Sequence, residues 1–136
     1  MILLVEDNPA DVGLVRKCLE AHGVQGELVV LADGEIGVVF IQEVESQALP
    51  CPDLAIIDLN LPKRPGRDVV ERMRQSPQCR DIPIVVLSSS DALEDRRDAA
   101  RFGADQHIRK PSRLEDFLNL GALFKSILSD RTKEPS

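Results

Sequence analysis

"AIIDLNLP", residues 55–62, is the stretch on which the fold turns. Ala55, Ile56 and Ile57 form an apolar run, and Asp58 follows with no basic neighbour. Leu59 resumes the apolar character and Pro62 ends it. A continuous apolar run of this length, closed by proline, reads as a strand buried on both faces. Its terminal acid must then emerge at an edge of the sheet.

The same pattern extends in both directions. "ILLV" (2–5), "ELVVLA" (27–32), "LAIIDL" (54–59), "IPIVVLSS" (82–89) and "QHIR" (106–109) read as five strands. Helical spacing marks the segments between them: "PADVGLVRKCLEAHG" (9–23), "DGEIGVVFIQEVES" (33–46), a helix from about Gly66, "ALEDRRDAARFGA" (92–104) and "SRLEDFLNLGALFKSILSD" (112–130). Val12, Val15, Cys18, Leu19 and Ala21 make the apolar face of the first helix. Asp33 and Ser112 are placed to cap helix N-termini. Five β–α units with nearly all-apolar strands predict an α/β fold with a parallel sheet covered on both faces. Crossovers are expected to be right-handed. Residues 1–130 form one domain, and "RTKEPS" (131–136) reads as a polar, disordered tail.

Composition narrows the function. The 136 residues are 43% hydrophobic but only 3% aromatic, with no Trp or Tyr, so aliphatic side chains must build the core. A net charge of −6 opposes nonspecific contact with nucleic acid or an anionic membrane. No apolar run approaches the roughly 20 residues that span a bilayer. "MILLVEDN" turns acidic too early for a signal peptide, so a cytoplasmic location is expected. Cys18, Cys51 and Cys79 are scattered, form no C-x-x-C, and are expected to be reduced thiols.

In open parallel sheets, sites form beyond the C-terminal ends of the strands. The first strand ends in Glu6 and Asp7, the third in Asp58 then Asn60, the fourth in Ser88, and the fifth in Lys110–Pro111. Three carboxylates gathered on one rim repel, so a cation must join them or some must stay protonated. All-oxygen ligands favour Mg²⁺, with Mn²⁺ as a substitute. A lysine amine and a hydroxyl opposite them suit phosphoryl oxygens. The constellation points to metal-assisted phosphoryl transfer onto Asp58.

The chain resembles a response-regulator receiver domain of two-component signalling over about residues 1 to 130. The acidic pair Glu6–Asp7, "DLNLP" with Asp58, Ser88 after "IVVL" and "KP" at Lys110–Pro111 carry the resemblance. It implies a flavodoxin-like (βα)5 three-layer sandwich with sheet order 2-1-3-4-5. It implies that Asp58 accepts the phosphoryl group from a sensor histidine kinase, and that the protein is a signalling switch and not a turnover enzyme. Asp7 would bind Mg²⁺ directly, Glu6 through water, and Asp58 and the Asn60 backbone carbonyl would complete the set. Lys110 and Ser88 would hold phosphoryl oxygens, Ser88 also acting as a switch residue. Pro111 would follow a cis peptide bond. "ILLVEDNPADVGLV", "LADGE", the long segment before the third strand and "DLNLP" look most like stand-alone cytoplasmic regulators that partner bacterial phytochrome kinases.

Three positions depart from the family pattern, the first being Glu6, which stands where Asp is common and should still serve a water-mediated ligand. The switch position three residues before the lysine holds His107, where Tyr or Phe is common. Pro65 stands where an acid is frequent, which stiffens the loop after Asp58. The basic Lys63, Arg64 and Arg67 read as a solvated loop.

The signal is expected to leave through a surface of this domain and not through an output domain. On that helix Leu114, Phe117, Leu118, Gly121, Phe124 and Leu128 share a face expected to meet the sheet. Leu120, Leu123 and Ile127 form a second stripe, expected to cover a homodimer interface through helix 4, strand 5 and helix 5. A degenerate receiver that binds partners without phosphorylation is the alternative. An aspartyl-phosphate phosphatase is a weaker one, because Asn60 stands where such enzymes need a second acid.

Overall fold

Each apolar run forms a strand and each amphipathic segment a helix. The elements are β1 (Ile2–Val5), α1 (Pro9–Ala21), β2 (Leu28–Leu31), α2 (Gly34–Gln47), β3 (Leu54–Asp58), α3 (Gly66–Gln75), β4 (Ile84–Ser88), α4 (Leu93–Phe102), β5 (Gln106–Arg109) and α5 (Leu114–Lys133). This computed structural model describes the backbone of residues 1–89 and 93–133, and the side chains of 1–89 and 96–130. All strand pairs are parallel, and the sheet order is β2-β1-β3-β4-β5. The parallel α/β class is as expected from the residue pattern, and the strand order is the one the family resemblance implies.

The register divides the core into two layers. Leu3, Val5, Ala55, Ile57, Ile84 and Val86 face Val38 and Ile41 of α2 and Val69, Val70 and Met73 of α3, with Phe102 of α4 at the margin. Ile2, Leu4, Leu54, Ile56, Val85 and Leu87 face Val15, Cys18 and Leu19 of α1 and Phe117 and Phe124 of α5. Because β1, β3 and β4 are covered on both faces, none of them alternates between apolar and polar residues.

Local chemistry sets the helix ends nearest the rim. Asn8 Oδ1 accepts a 2.9 Å hydrogen bond from the Ala10 N–H, and Pro9 occupies the first helical position of α1. Asp33 Oδ1 accepts from the Ile36 N–H at 2.8 Å, as its predicted capping role requires.

Several expectations need correction. Ser112 does not cap α5: the helix begins at Leu114, and the Arg113 carbonyl accepts from the Phe117 N–H at 3.0 Å. Leu114, expected on the sheet, is 56% exposed, because the first residue of α5 stands at the rim before the helix reaches the core. Helix α5 continues to Lys133, so residues 131–133 of the expected tail are helical. Residues 134–136 and the loop position Ser90 lie outside the described residues. Ala21 is exposed and not part of the buried face of α1.

Two cysteines also differ from expectation. Cys51, before β3, and Cys79, between α3 and β4, form a disulfide with their Cα atoms 5.6 Å apart. β3 and β4 are hydrogen-bonded neighbours, so the loops leading into them meet at the N-terminal edge of the sheet. Sequence spacing does not reveal that meeting. Cys18 stays a free thiol, and burial pushes its pKa up to about 11.

Candidate functional site

The C-terminal ends of β1, β3, β4 and β5 open onto one rim. Asp58 ends β3, paired in register with Leu87, and Ser88 is the next residue of β4. Asp58 is 5% exposed, so the strand holds its backbone while its carboxylate reaches the rim. Its Oδ1 accepts from the Asn60 N–H at 3.1 Å, and its Oδ2 from the Lys110 ammonium at 3.2 Å. The Gly66 N–H donates to the Leu59 carbonyl at 3.0 Å and turns the chain into α3. A Cβ at Gly66 would strike the Asp58 backbone carbonyl, so only glycine fits there.

Lys110 crosses the rim from the end of β5. Its backbone N–H donates to the Ser88 carbonyl at 2.7 Å, which ties it to the end of β4. Its ammonium contacts Glu6 Oε1 at 2.6 Å, Asp11 Oδ2 at 2.8 Å and Asp58 Oδ2 at 3.2 Å. These partners use all three of its protons. The described residues contain no cis peptide bond, so the expected cis bond before Pro111 is trans. With the trans linkage the Lys110 side chain already reaches all three acids, and trans is the isomer that proline bonds ordinarily prefer.

One oxygen from each of Glu6, Asp7 and Asp58 can be chosen so that all three lie within 4.8 Å of one another. Such a set of hard oxygen donors fits a divalent cation. Glu6 and Asp58 are buried and Asp7 is exposed, which leaves one side of the cluster open to water. Burial, together with a hydrogen bond to Asp58 and that residue's charge, pushes the Glu6 pKa up to about 7, against the opposing pull of Lys110. Burial works against the Lys110 charge, but the hydrogen bonds to Asp11 and Glu6 and the charge of Asp58 outweigh it and hold the amine above the ordinary lysine range. The rim thus carries more negative charge than its lysine neutralises, as the sequence pattern implies.

Glu6, Asp7, Asp58, Asn60, Ser88 and Lys110 therefore converge. His107 lies on β5 opposite Val86, half-buried, and both its ring nitrogens lack a hydrogen-bond partner among the described residues. It lines a groove of about 530 Å³ between α4 and β5, beside Arg96, Arg97 and Asp105. Leu120 and Ile127 pack partly against the core beneath α5, and Leu123 is half-buried. Two site residues escaped the sequence reading. Gly66 was legible only as a helix start. Asp11 sits in the first turn of α1, and its spacing from Asp7, four residues on and next to a proline-opened helix, was the available signal.

The profile of the response regulator receiver domain family matches residues 2–120. Response regulator Rcp1 of Synechocystis is 36% identical over 121 residues, covering 88% of this chain and 82% of that protein. A crystal structure of Mn²⁺-bound Rcp1 superposes with a TM-score of 0.84 at 33% identity, covering 99% of this chain and 98% of that one. The phosphorylated cyanobacterial phytochrome response regulator RcpA superposes with a TM-score of 0.86 at 31% identity, covering 99% and 97%.

Proposed function

The chain belongs to the response regulator receiver domain family, and from that premise we propose that it is a phosphoacceptor switch working on Asp58. The observation that carries the proposal is the Lys110 ammonium, which spans from the end of β5 to both Glu6 and Asp58. Asp58 supplies the nucleophilic oxygen that takes the phosphoryl group from a histidine kinase. Lys110 and Ser88 hold phosphoryl oxygens. Asp7, Asp58, the Asn60 carbonyl and, through water, Glu6 would hold Mg²⁺. When bound, the ion would neutralise charge that develops on the transferred group. The product adds about two negative charges to a rim already rich in carboxylates, so a shift in local structure follows. Ser88 and His107 are the residues proposed to move.

Similarity to Rcp1 and RcpA supports a phytochrome-type kinase as partner. The conformational signal would pass to proteins, through α4, β5 and α5. Homodimerisation there is part of the proposal, centred on Leu123. No helix among the described residues is long and apolar enough to cross a membrane, and we place the protein in the cytoplasm.

Intact mass after incubation with acetyl phosphate and Mg²⁺ tests the central point. One added phosphoryl group is expected, absent in Asp58→Asn and in the metal-free reaction. No addition, under conditions that modify another receiver, would favour a partner-binding module that works without phosphorylation.

A further inference from the structure

Asp11 is the unexplained member of the rim. Its carboxylate takes one of the three ammonium protons of Lys110 at 2.8 Å, closer than Asp58 at 3.2 Å. Yet it stands outside the group of Glu6, Asp7 and Asp58 whose oxygens could share a cation. It is 21% exposed and lies in the first turn of α1, where the helix N-terminus favours a negative side chain. Two of the lysine's three partners are therefore wanted by a cation, and one is not.

We propose that Asp11 is a positioning residue that retains the Lys110 amine when a divalent cation takes Glu6 and Asp58. The inference deepens the phosphoacceptor assignment and rests on it. Without Asp11 the amine has only the oxygens the cation needs, and the two positive groups compete for them. With Asp11 the amine withdraws toward α1, keeps a counter-charge, and stays within reach of a phosphoryl oxygen on Asp58. The residue thus eases cation entry and holds the lysine ready at the same time.

Calorimetric titration of Mg²⁺ into the wild type, Asp11→Asn, Lys110→Met and the double variant tests this. Asp11→Asn is expected to weaken Mg²⁺ binding about fivefold in the wild-type background, and by less than about twofold once Lys110 is gone. Equal weakening in both backgrounds would mean a simple charge effect and would overturn the proposal. So would no weakening at all, or a wild type that binds no cation. Should Lys110→Met fail to fold, the ¹H–¹⁵N signal of the Lys110 ammonium decides. It should persist at saturating Mg²⁺ in the wild type and vanish in Asp11→Asn; its loss in the wild type, or its survival in the variant, overturns the idea. Neither readout involves phosphoryl transfer. A chain that passes both but takes no phosphoryl group from acetyl phosphate would retain the Asp11 role and lose the phosphoacceptor one.

Discussion

Glu6 shows how a single side chain reports the character of the whole rim. In the unfolded chain it ionises near 4.5, whereas in the folded chain it holds its proton until about 7. Across that window the folded state binds more protons than the unfolded one. Glu6 therefore contributes less to stability as pH rises through the window, and its full penalty is present above about 7. Glu6→Gln stays neutral at every pH. In metal-free buffer its melting temperature should rise relative to the wild type on going from about pH 5 to about pH 8. An identical difference at both pH values would show that Glu6 titrates as it does in water. At this scale the sequence was most informative, because Glu6, Asp58 and Ser88 each close an apolar run, Asp7 stands one residue behind Glu6, and Lys110 follows the last strand. Asp11 was harder to find. It follows no strand, and its direction depends on how α1 sits on the sheet.

Among the elements, α1 and α5 show what helical periodicity can and cannot predict. Phe117, Gly121 and Phe124 do point inward. At Gly121 the two helices pack closely: a Cβ there would strike the Cys18 carbonyl and the His22 ring. The His22 ring Nε2 lies 3.0 Å from the Leu118 carbonyl and locks the same contact. Gly121→Ala would gain about 1 kcal/mol of helix preference but add a methyl group against backbone that cannot swing aside. A net loss of about 2 kcal/mol is expected, read as a melting temperature several degrees lower. An unchanged melting temperature would show that the helices separate freely. Periodicity failed at Leu114 because it gives a direction around the helix axis and does not say whether anything lies opposite. It also failed at the helix start, where Ser112 has the right chemistry one residue too early. The α4–β5 connection is fixed instead by Arg74 of α3, which donates to the Gly103, Arg80 and Ile82 carbonyls and pairs with Asp105. No local pattern announces that arrangement.

Two features belong to the molecule as a whole. The Cys51–Cys79 bond closes a loop 28 residues in sequence separation, which restricts the unfolded chain by about 3–4 kcal/mol. Reduction should lower the melting temperature by on the order of 10 °C, and Cys51→Ser should be insensitive to reductant. The rim lies at the other end of the strands, so phosphoryl uptake on Asp58 should survive reduction. A melting curve that ignores reductant would mean the bond contributes nothing to stability. The second feature is assembly. If the α5 surface pairs with a second copy, Leu123→Glu should halve the mass seen by light scattering without changing the melting of the monomer. An unchanged mass would leave α5 without a role in self-association.

The sequence by itself determined the strand count, the parallel sheet and the rim. Each of these follows from which residues are apolar and from what stands directly after each run. Chain order alone places acids and lysine at strand ends, and strand ends of one parallel sheet share one edge. The tertiary structure alone decided the pairing of Cys51 with Cys79, the exposure of Leu114 and the third partner of Lys110. Each of these depends on a distance between segments far apart in the chain. Such distances are set by how helices and loops seat on the sheet, and spacing along the sequence does not measure them.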